Sequence, residues 1–273
     1  MRFLKPMFLT SLLLAAGVGR SDIAVRSLIP SDLSAPHAVA VDDSGNIFIA
    51  DTNHNEIRKW SASTGRLTTL VSGPYLPAGV AVDNLGNVYI SDTYHSAVKM
   101  WSASTQQVTT LVSSQRLSPL GLAVDSSGNV YIADPVERTI LKWNAATHQT
   151  TALVSLVFSA ESVAVDAAGN VYFTGAGIQK WSASTQQIST LVPYEISSAP
   201  SRSVAVDTAG NVYFVDHFAI KKWGASTQQI TQLASVGVET TLGLAVDRFG
   251  NVYVTDGNQS VEEWSAATRR SPR

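Results

Sequence analysis

The sequence predicts an all-β fold: a six-bladed β-propeller with four antiparallel strands per blade, the last blade closed by the N-terminal strand. Three observations carry this. The pentapeptide Asp-x-x-Gly-Asn begins at Asp42, Asp83, Asp125, Asp166, Asp207 and Asp247, in steps of 40 to 42 residues, and a period of about 40–45 residues built from short strands is that of a propeller blade. Each repeat carries one tryptophan at the same place, Trp60, Trp101, Trp143, Trp181, Trp223 and Trp264, which accounts for every tryptophan in the chain. The sixth repeat stops without a fourth strand, and a matching segment stands at the other end of the sequence.

The second repeat shows the elements in order. Gly79-Val80-Ala81-Val82-Asp83 is a short strand running into the turn Asn84-Leu85-Gly86. An aspartate there accepts a backbone N–H of its own turn, and a glycine takes positive φ with no Cβ to clash. Asn87 to Asp92 is the second strand, with branched and aromatic residues suited to a pleated surface. The third ends in Lys99-Met100-Trp101, the polar turn Ser102-Ala103-Ser104-Thr105 follows, and Val108-Thr109-Thr110-Leu111-Val112 is the fourth. Four antiparallel strands make one blade. A tryptophan repeated identically in every blade reads as packing between blades or hairpins, not as a sugar platform.

Closure follows from the ends. Val25-Arg26-Ser27-Leu28-Ile29-Pro30 matches Ile188-Ser189-Thr190-Leu191-Val192-Pro193 in its apolar positions and its proline. Residues 23–30 are therefore expected to supply the outer strand of the sixth blade, which removes an exposed edge and joins the termini. Before it, Arg2 and Lys5 precede an apolar stretch from Met7 to Val18, then Gly19. That stretch is shorter than the roughly 20 residues of a membrane-spanning helix. It has the layout of a secretory signal peptide. The expected organisation is a signal peptide over 1–19, the propeller over 20–268 and a basic tail over 269–273. This implies a secreted or periplasmic protein with no membrane span once the leader is removed.

Composition excludes several classes. The chain has 273 residues, 45% hydrophobic and 15% charged, with net charge −2, enough apolar content for a core and too little charge for disorder. Its basic cluster, Arg269, Arg270 and Arg273, is a terminal tail; a nucleic-acid partner calls for a clustered basic face. There is no cysteine, which removes disulfides and thiolate metal sites. A monomer is expected.

Residues 79–92, Gly-Val-Ala-Val-Asp-x-x-Gly-Asn-Val-Tyr-Ile-x-Asp, resemble the NHL repeat, a family that builds six-bladed propellers. The resemblance spans about residues 23–268 and implies the fold. Its implications for function are broad: sensor domains of bacterial receptor kinases, RNA-binding modules, and related propellers acting as lyases or lactonases. Fold does not fix function. Blades four to six depart from the family's Asp-Thr-x-Asn-x-Arg loop.

Candidate function lies where the repeats differ. The loops after the second and fourth strands share one face, here the upper face; the Asp-x-x-Gly and Ser-Ala-Ser-Thr turns share the lower one and are nearly uniform. From the end of the second strand to the tryptophan takes nine residues in blades one to three, then six, seven and eight in blades four to six. His37, His54, His95 and His217 fall on the upper face, and His148 in a lower turn. His54 and His95, with Glu137 at the matching place, do not read as a metal site. Strands spaced about 4.8 Å apart set equivalent loops of neighbouring blades more than about 10 Å from each other, against the ~2.0–2.1 Å of a zinc–nitrogen bond. Asp51, Asp92, Asp134, Asp216 and Asp256 recur regularly and read as loop caps.

At the channel mouth the innermost strands begin with His37, Ala78, Leu120, Glu161, Arg202 and Leu242. Glu161 and Arg202, on adjacent blades, make at most a surface ion pair of about 0–1 kcal/mol, and His37 stands across the ring. These readings favour a secreted, non-enzymatic propeller that binds a protein, peptide or glycan through its uneven upper loops. His37, His54, Tyr75, Tyr94, His95, Glu161 and Arg202 are the candidate ligand contacts, with Phe158, Tyr194 and Phe218 as further loop aromatics. No catalytic residue, metal or cofactor is assigned. The alternatives are a metal-dependent hydrolase or lyase acting at the channel mouth, and a structural repeat protein without a specific ligand. An apolar patch joining Tyr75 to Tyr94 distinguishes the first reading; three or more converging ligands distinguish the second.

Overall fold

The computed structural model describes residues 25–29, 32–193, 203–216, 219–235 and 243–266. The expected leader and basic tail, and the residues Tyr194, Arg202, His217, Phe218 and Leu242, lie outside them. Among the described residues, 24 strands form six four-stranded antiparallel sheets. Five sheets are consecutive along the chain; blade 2, for example, runs Pro77–Val82, Val88–Asp92, Ala97–Trp101 and Val108–Ser113. In the sixth, Leu244–Val246, Val252–Thr255 and Val261–Trp264 are completed by Val25–Ile29, the expected closing strand. No helix among the described residues is long and apolar enough to cross a membrane.

The second strand of each blade shows why the sequence stacks this way. Ile47-Phe48-Ile49-Ala50-Asp51 is buried along its whole length. Successive side chains point to opposite faces, so Ile47 and Ile49 pack with Tyr253 and Val261 of blade 6, while Phe48 and Ala50 pack with Val80, Val88 and Ile90 of blade 2. Six such clusters, one between each pair of neighbouring blades, make up the core. All six tryptophans belong to them, each packed against the preceding blade: Trp60 in the cluster with Tyr253, Trp101 with Phe48, Trp143 with Tyr89, Trp181 with Tyr131, Trp223 with Tyr172 and Trp264 with Tyr213. They are scaffold, as expected.

The lower turns are built from the pentapeptide itself. Asp83 Oδ1 accepts the N–H groups of Leu85 and Asn87, and its Oδ2 accepts from Asn87 Nδ2. Asn87 Oδ1 in turn accepts the N–H of Ala103 in the neighbouring hairpin turn at 3.0 Å. Gly86 sits at φ +81, the left-handed region that glycine enters without strain. The same bond from asparagine to hairpin recurs in all six blades, so one short motif ties both hairpins of a blade together.

Candidate functional site

The upper rim is organised by buried carboxylates. Asp51, Asp92, Asp134 and Asp216 end their second strands fully or almost fully buried. Asp51 accepts the N–H of Ser34 at 2.7 Å, Asp92 that of Tyr75 at 2.8 Å, and Asp134 those of Ser118, Val136 and Glu137 at 3.1 Å. Asp51, Asp92 and Asp134 thus each fix the loop that enters their blade, the capping role expected, while Asp216 accepts from the Lys221 ammonium. In blade 6, Asp256 caps its own loop through Asn258, Gln259 and Ser260. Burial works to raise the Asp92 carboxyl, but the Lys99 ammonium, the Tyr75 N–H and His95 outweigh it and hold the group below the ordinary aspartate range. Blade 6 lacks the cation: Glu262 stands in that place, and burial followed by the Asp256 charge raises its carboxyl.

The two loop histidines belong to these caps. His54 Nδ1 lies 2.8 Å from Asp51 Oδ2, and His95 Nδ1 lies 3.0 Å from both oxygens of Asp92. Each is held by its own loop, and among the described residues no three His, Asp or Glu side chains are placed to hold a metal ion.

What the structure does bring together is aromatic. Tyr75, on the loop entering blade 2, and Tyr94, on that blade's second loop, meet edge to face with ring centroids 4.5 Å apart. The His95 ring completes the group, 6.0 Å from Tyr75 and 5.8 Å from Tyr94. Tyr94 donates its N–H to the Tyr75 carbonyl, and Asp92 anchors both Tyr75 and His95. Tyr75 is 43% and Tyr94 67% exposed, so the pair is held in place yet presented to solvent. Leu76 beside it and Val136, Val157 and Phe158 on the loops of blades 3 and 4 are exposed as well. Of these, only Phe158 stands out in the sequence as a loop aromatic. The signal for the others is an apolar residue inside an otherwise polar loop.

The channel mouth is a different environment. His37 and Glu161 both line an axial cavity of about 60 Å³, together with Gly79, Gly121, Ser162 and Ser203. That volume is enough for about two waters. His37 Nδ1 donates to the Ala78 carbonyl at 2.9 Å, which places the lone pair of the neutral ring on Nε2. The Glu161 backbone is fixed by Thr174 Oγ1 and the Gly121 N–H. Arg202 lies outside the described residues.

Residues 33–60 and 75–100, parts of blades 1 and 2, match the sequence profile of the NHL repeat. Six sheets of four strands repeat the same pattern around the ring. The chain is an NHL-repeat propeller. A search of curated proteins finds no match to it. Solved structures do match the NHL propeller across most of its length. A gluconolactonase from Xanthomonas campestris superposes with a TM-score of 0.74 at 14% identity, covering 88% of each chain. Virginiamycin B lyase from Staphylococcus aureus gives 0.64 at 13%, covering 89% of this chain and 88% of its own. A chain of the nidogen/laminin complex gives 0.68 at 16%, covering 77% and 84%. At these identities the likeness is one of fold, and the fold is shared by enzymes and by a component of a protein complex.

Proposed function

We propose that this NHL propeller is an exported, non-enzymatic binding module whose upper face takes a protein, peptide or glycan. The contact between Tyr75 and Tyr94 carries the reading. Two exposed rings in edge-to-face contact, on loops that the buried Asp92 ties down through the Tyr75 N–H and His95, form a preorganised apolar surface, and binding to it costs little side-chain ordering. Aromatic anchors of this kind dominate interface energetics. The test is capture from culture supernatant, with a glycan panel in parallel, comparing the parent protein with the Tyr75→Ala/Tyr94→Ala double variant. A ligand held by the parent and lost by the variant, at unchanged melting temperature, is the expected result. Equal retention by both counts against it.

A second reading, hydrolase or lyase chemistry at the channel mouth, draws on His37 and Glu161 lining one cavity. It requires a reaction that His37→Ala and Glu161→Ala each abolish while Tyr94→Ala spares it.

A further inference from the structure

Blade 2 breaks the repeat on the lower side as well. In blades 1, 3, 4 and 5 the residue paired across from the second-strand aromatic is a lysine. The ammonium groups of Lys59, Lys142, Lys180 and Lys222 lie 5.1 to 5.3 Å from the ring centroids of Phe48, Tyr131, Tyr172 and Tyr213. In blade 2 the residue across from Tyr89 is Met100. The tip of the adjoining turn is Leu85, 80% exposed, where blades 1, 3, 4 and 5 have Ser44, Ser127, Ala168 and Ala209. Between blades 2 and 3 these substitutions border a cleft of about 360 Å³, walled by Leu85, Tyr89, Met100 and Trp143, with Asn84 and Ser126 on its lip.

The far wall is also particular to this place. Trp143 is only 7% exposed, and its ring stacks on His148 with centroids 5.6 Å apart and planes at 4°. Blades 1, 2, 4 and 5 have Gly65, Gln106, Gln186 and Gln228 at the position of His148, and blade 6 has Arg269. Trp143 Nε1–H is buried and meets no acceptor among the described residues. A buried donor left without an acceptor is costly, so a group that supplies one is favoured there.

We propose that this cleft binds a neutral aromatic small molecule carrying a carbonyl group. The volume lies in the range of small-molecule pockets, about 300–1,000 Å³. The Tyr89 ring and the Met100 thioether suit an aromatic guest, and a carbonyl on the guest supplies the acceptor that Trp143 Nε1–H lacks once a small shift of the indole uncovers that shielded donor. Charge is not called for. The Asp83 carboxylate at the edge is already engaged by two backbone N–H groups, Asn87 Nδ2 and the Tyr89 hydroxyl. The corresponding cleft between blades 5 and 6, about 300 Å³, is lined by Lys222 and Arg248 and is cationic, so it serves as an internal contrast. This site is independent of the upper-face reading.

The probe is coumarin, titrated into the intact ¹⁵N-labelled protein while the six indole N–H resonances are followed. The Trp143 resonance, assigned through Trp143→Phe, moves saturably, and the other five move little. Met100→Lys, which restores the residue of four sister blades, weakens binding at least about tenfold. Leu85→Ser, on the exposed lip, weakens it too and leaves the fold untouched. The proposal is overturned if the Trp143 resonance stays fixed up to the solubility limit. It is equally overturned if all six resonances move alike, or if both variants bind as the parent does.

Discussion

Phe48 is a built-in control for the hydroxyl that its five counterparts carry. In blades 2 to 6 the tyrosine hydroxyl donates to the second oxygen of the turn aspartate at 2.9 to 3.2 Å. Asp42 of blade 1 keeps its backbone and asparagine partners without one. The turn therefore forms without the phenol, and Tyr131→Phe is expected to cost only about 1 kcal/mol. Asp125→Ala removes the acceptor for two backbone N–H groups, Asn129 Nδ2 and the phenol together; a loss of about 2–3 kcal/mol is expected, and urea unfolding of the two variants measures the contrast. Burial first and the adjacent aspartate second raise the hydroxyls of Tyr89, Tyr131, Tyr172 and Tyr253 above their ordinary value of 10.0. Above that pH the unfolded chain releases phenolic protons that the folded chain retains. Their stabilisation is complete below pH ~10 and is lost as pH rises through the folded values. Melting temperature should hold from neutral pH to about 9 and fall beyond 10, less steeply in Tyr131→Phe than in the parent.

The closing strand is the element whose chemistry departs most from its counterparts. The outer strands of blades 1 to 5 set Thr68, Thr109, Thr151, Ser189 and Thr231 opposite Lys59, Met100, Lys142, Lys180 and Lys222. In blade 6 the third strand carries an anion and the outer strand the cation: Arg26 faces Glu263 and bonds to it at 2.7 Å. On any other blade Arg26 would meet a lysine or a methionine, so the pair selects both the blade and the register. Its energy is small, because the Arg26 side chain is 68% exposed; Arg26→Thr should change stability by less than about 1 kcal/mol. The strand is held by Ile29, buried with Tyr253 and Val261 in the cluster between blades 6 and 1. Ile29→Ala should cost about 2–5 kcal/mol, read by chemical denaturation, and lower the cooperativity of unfolding. Strand and partner blade were legible in the sequence, because apolar spacing and a proline survive in the displaced copy. The ion pair was not, since Arg26 and Glu263 are 237 positions apart and only the register joins them. The lower cleft escaped for a related reason: Met100 departs from the lysines by a single residue in a strand that otherwise repeats.

At the scale of the whole ring, likeness between blades makes the exceptions readable and also limits what the axis can do. Tyr75 and Tyr94 were legible as candidates because subtracting the repeat leaves them. His54 and His95 survived the same subtraction, yet each sits three residues after a capping aspartate and is bound to it, so their distinctness is local. The innermost strands meet the channel with Ala38, Gly79, Gly121, Ser162, Ser203 and Gly243 at one equivalent position. A Cβ on Gly79 would stand 2.0 Å from the Leu120 carbonyl oxygen, one on Gly121 2.7 Å from that of Glu161, and one on Gly243 2.7 Å from Ala38 Cα. Neighbouring backbones therefore touch where these residues lie, and small side chains set the radius of the ring. Gly79→Ala cannot be absorbed by a rotamer change, because the obstacle is backbone; blade 3 must move outward or tilt. A loss of about 1–3 kcal/mol or more is expected. Ala38→Gly at the equivalent place adds no bulk and should cost about 0.5–1 kcal/mol through backbone entropy alone. Thermal unfolding of the two variants separates close approach from entropy: comparable losses would mean that the ring has slack at its axis, and a much larger loss for Gly79→Ala would mean that the six blades are wedged against one another there.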